Sequence, residues 1–67
     1  MTLAPGILTQ AFNLGRGEGA HNLSPMPAES ICIRIARSNP DYPLRWNDGD
    51  ILKAEYSSGY AIGMGSK

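Results

Sequence analysis

The residues with nucleophilic or ligating chemistry are few. Cys32 is the only cysteine and His21 the only histidine. A nucleophile and base pair needs hydrogen-bond reach and a third group to orient the base. Cys32 stands in an apolar alternating run and His21 in a Gly/Pro-rich stretch, so Cys32 reads as a small buried hydrophobe. Asp48 and Asp50, with Asn47 and Asp41 nearby, offer oxygen ligands for a hard cation. Their spacing is that of ordinary turn chemistry rather than of an EF-hand. Structural zinc wants four ligands of Cys, His or carboxylate type. One cysteine and one histidine argue against it and exclude an internal disulfide. The reading is therefore no catalytic residue, no metal and no cofactor, and a chain that is not an enzyme.

Gly15-Arg16-Gly17-Glu18-Gly19-Ala20 matches the letters of the dinucleotide fingerprint. That fingerprint works only as a strand-to-helix turn facing a pyrophosphate. Pro25 and Pro27 oppose a following helix, so the stretch reads as a flexible loop. Basic and aromatic residues interleave at Arg34, Arg37, Arg45, Trp46 and Tyr60. On a β surface such residues bind single strands through phosphates and stacked bases. The competing reading buries the aromatics in a small core and leaves the basic residues at soluble edges.

The elements needed to position these groups read as β. Ile31, Ile33 and Ile35 alternate with Cys32, Arg34 and Ala36, the pattern of a strand. Asn47-Asp48-Gly49-Asp50 reads as a tight turn, and Ile51 to Tyr56 alternates again. Ser57-Ser58-Gly59 reads as a hairpin loop, followed by a last strand from Tyr60 to Gly65. Its bare side, Ala61, Gly63 and Gly65, would let another backbone approach closely. Pro5 to Leu14 fits either a short helix, with Ile7, Leu8, Ala11 and Phe12 on one face, or an extended segment. Asn47 to Ala54 is similar over eight residues to the turn-plus-strand that closes the β-fold of self-cleaving phage repressors. That family's Ser–Lys pair has no counterpart, since Lys53 and Lys67 are the only lysines, and no family follows.

The expected fold is mainly β: a small antiparallel sheet, or an SH3- or OB-like barrel, of roughly three to five strands. Residues 1–30 would form a flexible, partner-wrapping arm or short helix, and residues 31–67 a small β core. Ile31, Ile33, Ile35, Leu52, Tyr56, Tyr60 and Ile62 are the expected core, with truncation of Ile33 costing about 2–5 kcal/mol.

A chain of 67 residues is one domain with a thin margin of stability. Six basic residues balance six acidic ones, which weighs against nucleic acid and removes charge repulsion between copies. The N-terminus lacks a positive segment before its apolar residues, and no apolar run approaches the ~20 residues of a membrane span. An unpaired cysteine fits a reducing compartment. Together these imply an intracellular, cytoplasmic protein, or a component of a phage- or virus-like particle assembled inside a cell. Its function would be to bind protein: an accessory subunit, a capsid component or a small inhibitor docked on a larger assembly, with self-association included. Tyr60, Ala61, Gly63 and Gly65 are the expected contact residues, and Gly63→Leu is expected to weaken association more than folding. A nucleic-acid-binding β-barrel using Arg34, Arg37, Arg45, Trp46 and Tyr60 is the alternative.

Overall fold

The computed structural model describes residues 3–45 and 47–65. Three helices follow one another: α1, Pro5–Ala20; α2, Ala28–Ser38; and α3, Asp48–Gly65. No strand occurs among the described residues. The mainly β expectation, with its sheet or SH3/OB-like barrel, is thereby corrected: the described residues form an all-α fold of three helices joined by loops.

Local chemistry explains each helix. Pro5 opens α1, where its missing N–H and fixed φ suit a first turn. The helix runs through the glycine-rich stretch, so Gly15 to Ala20 is neither a loop nor a phosphate-binding turn. It closes in a Schellman motif. Asn22 takes the left-handed conformation (φ 59°), while the Leu23 and Asn22 amides donate to the Glu18 and Gly19 carbonyls at 2.9 and 3.2 Å.

Helix α2 replaces the strand expected at Ile31–Arg37. Glu29 in its first turn and Arg37 in its last both favour the helix dipole. Ile31 and Ile35, four residues apart, fall on one face and are buried. Ile33 lies across the helix from them and is 46% exposed, so it is not the core residue that a strand would make it.

The second strand, the hairpin loop and the last strand are likewise one continuous helix, α3. The supposed turn at Asp48-Gly49-Asp50 is its first turn, where two carboxylates meet the positive end of the dipole. Leu52 and Tyr56 are buried; Tyr60 is half-buried and Ile62 exposed.

The core joins Leu3, Ile7 and Ala11 to Ile31, Ile35, Leu52 and Tyr56. It therefore draws on the first 30 residues as much as on the rest. The principal contact is between α1 and α3, and it is made by backbone. A Cβ on Gly15 would collide with the Tyr56 carbonyl, and one on Gly19 with the Tyr60 carbonyl. On the facing helix, a Cβ on Gly59 would strike the Phe12 carbonyl and one on Gly63 the Arg16 carbonyl. Both pairs advance in the same direction along each helix, so α1 and α3 run parallel, with α2 as the return element. Ala11, Gly15 and Gly19 on α1, and Gly59 and Gly63 on α3, are spaced by four, the arrangement that brings two helices into van der Waals contact.

Candidate partner-binding face

The two sides of the α1/α3 pair are not alike. One side is closed by residues 22–27 and by α2. There the Met26 amide donates to the Tyr56 hydroxyl at 3.0 Å, and that hydroxyl donates to the Glu18 carboxylate. Tyr60 donates to the Leu23 carbonyl, and the Lys53 ammonium to the Met26 carbonyl at 2.6 Å. The Tyr56 and Tyr60 rings stack at 6.0 Å, with Lys53 over the Tyr56 ring at 5.3 Å. Further along, Gln10 and Asn39 exchange two amide hydrogen bonds of 3.1 and 2.7 Å, tying α1 to the end of α2. The Ala4 amide donates to the Tyr42 hydroxyl at 3.0 Å.

Burial, with the Glu18 hydrogen bond second, pushes the Tyr56 phenol from 10 up to about 12. The neutral phenol is the form that stabilises the fold. Its contribution is complete below pH 10 and lost as pH rises through 12. Equilibrium unfolding across that window should show stability falling in the wild type, and Tyr56→Phe should remove this part of the fall. An equal fall in Tyr56→Phe would mean that another group controls it.

The other side of the pair also leaves apolar side chains exposed, as Leu23, Ile33 and Met64 are elsewhere on the molecule. Helical phase, at ~100° per residue, puts Phe12 and Arg16 on the edge of α1 away from Glu18 and Leu14. The same phase puts Ile51, Glu55 and Ile62 on the edge of α3 away from Lys53 and Tyr60. The glycine contacts agree, since Phe12 and Arg16 lie against Gly59 and Gly63. Phe12 is half-buried but outside the core cluster, whereas Leu8, one turn before it, packs against the core. Ile51 and Ile62 are 41% and 49% exposed.

The residues singled out from sequence are scattered by the helical fold. Gly63 is buried against α1, Tyr60 is turned to Leu23, and Ala61 and Gly65 are exposed on the outer side of α3. They do not form one bare face. Arg34 and Arg37 are exposed on α2. Arg34 borders a shallow groove with Gln10, Asn13 and Ser38, while Arg45 borders another with Cys32, Ile33 and Leu44. Trp46 lies outside the described residues. His21 is exposed at the end of α1, and the Cys32 thiol points to the Arg45 carbonyl at 3.8 Å. Burial and then the Asp48 carboxylate push that thiol up, away from the reactive thiolate. Among the described residues, no three His, Cys, Asp or Glu side chains are placed to hold a metal, and no helix is long and apolar enough to cross a membrane.

The chain matches no family model, no curated protein and no solved structure. The face must be interpreted from its own chemistry. Sequence reasoning placed Ile62 in the core because it gave Tyr60 to Gly65 the period of a strand. The four-residue glycine spacing was the available signal for a helix pair.

Proposed function

We propose that the protein is a non-catalytic module that works by binding another protein chain, as an accessory or structural subunit in the cytoplasm or in a particle assembled there. One observation carries this reading. The α1/α3 pair is covered on one side by α2 and residues 22–27, while its other side exposes Ile51 and Ile62 and leaves Phe12 outside the core. A small domain stabilises itself by burying such side chains, and apolar side chains left outside on one side of a helix pair suit an interaction surface.

The mass of the native species, measured on material purified from its own source, tests the reading. The expected result is a complex heavier than the 7.2 kDa of one chain. A lone chain at its working concentration would contradict it. Salt-dependent affinity for single-stranded DNA or RNA would favour nucleic acid instead. Arg34 and Arg37, exposed one turn apart on α2, support that second reading.

A further inference from the structure

We infer that Met26 is an oxidation-sensitive latch: transfer of one oxygen atom from a peroxide to its thioether sulfur releases residues 22–27 from α3 and loosens the closed side of the α1/α3 pair.

The sequence concentrates the attachment of this segment on one residue. Pro25 and Pro27 have no N–H, so Met26 holds the only backbone donor in residues 25–27. That amide donates to the Tyr56 hydroxyl at 3.0 Å, and the Met26 carbonyl accepts from the Lys53 ammonium at 2.6 Å. Apart from these, Tyr60 holds the segment to α3 through the Leu23 carbonyl. Met26 is also the apolar anchor. Asn22, Leu23, Ser24, Pro25 and Pro27 are exposed, whereas the Met26 side chain packs against the core cluster. Backbone and side-chain attachment therefore fail together if Met26 leaves its place.

Oxidation supplies a reason for it to leave. Met26 is half-buried, so a small oxidant reaches it from solvent. The sulfur lone pair attacks one peroxide oxygen, and the S–O bond forms as the O–O bond breaks. The departing hydroxide takes the proton of the transferred oxygen and leaves as water. Sulfur loses two electrons and the peroxide gains them. The sulfoxide turns an apolar side chain into a polar one. Among the described residues the core contains no buried polar or charged residue, and the Tyr56 hydroxyl is already bonded to Met26 and Glu18. An unpaired sulfoxide oxygen is costly against such a core, so the side chain turns to water and draws the Met26 backbone away from Tyr56 and Lys53. Met64, 47% exposed and outside the core contacts, oxidises without this consequence.

Treatment of the full chain with hydrogen peroxide is the test, with peptide masses to locate the added oxygen. Wild type carrying the Met26 sulfoxide should melt ~5 °C or more below the untreated protein. Its Met26 amide should exchange faster with solvent than before. Met26→Leu, which shares every other oxidisable residue, Cys32 included, should keep its melting temperature under the same treatment. Met26→Gln, a polar side chain of similar length, should reproduce the lowered melt without oxidant. A Met26 that stays unmodified while Met64 is fully converted overturns the inference. So does an oxidised Met26 with an unchanged melt, an equal fall in Met26→Leu, or a wild-type melt for Met26→Gln.

Discussion

Gly63→Leu is expected to abolish the native fold. Gly63 is buried in the α1/α3 contact near its C-terminal end, and a Cβ there would collide with the Arg16 carbonyl and lie 2.9 Å from the Ala20 nitrogen. The opposing atoms are backbone, so no rotamer change can make room. Overpacking that side chains can absorb costs about 1–3 kcal/mol. Here the two helices must separate, and the cost should consume a margin on the order of 5 kcal/mol. The expected result is loss of a cooperative thermal transition, for Gly15→Leu as well as Gly63→Leu. Gly17→Ala is the matched control. It stands in the same helix with open space around it, and should stabilise by up to ~1 kcal/mol through helix propensity alone. The expectation that Gly63→Leu spares folding and weakens only association is therefore replaced. The reason is steric and not conformational, because no glycine among the described residues has a positive φ. A wild-type melt for Gly63→Leu would contradict the helix contact.

Ile31→Ala and Ile33→Ala should differ sharply. Ile31 is fully buried among the core residues, so its truncation should cost about 2–5 kcal/mol. Ile33 is 46% exposed, and its truncation should stay within about 0.5 kcal/mol. In a strand the two side chains would share a face and respond together. Denaturant unfolding of both variants separates the alternatives, and equal losses would restore the strand.

Some of this structure is legible in the sequence. Pro5 at a first helical position and the shared face of Ile7 and Ala11 announce the start of α1. Other signals conflict. Ile31, Ile33 and Ile35 satisfy a period of two, yet Ile31 and Ile35 also satisfy a helix, and β-branching disfavours a helix only weakly. The cues at the ends, Glu29, Arg37 and Asn39, were the better arbiters. In α3, Gly59 and Gly63 resemble punctuation because glycine inside a helix costs about 1 kcal/mol relative to alanine. That cost is offset only by contact with α1, some 40 residues away in sequence, which local pattern cannot register. The exposed face depended on the same misassigned period. Ile62 reads as core in a strand and as surface in a helix, and Phe12 acquires meaning only once α1 lies beside α3.

The parallel, glycine-mediated pairing of α1 and α3 is the claim on which the rest depends, and proton–proton Overhauser contacts test it most directly. The account requires contacts linking Gly15 to Tyr56, Gly19 to Tyr60, Phe12 to Gly59 and Arg16 to Gly63. Seen together, these four fix both the closeness and the parallel sense of the helices. Cross-strand contacts between residues 51–56 and residues 60–65, with those four absent, would contradict it.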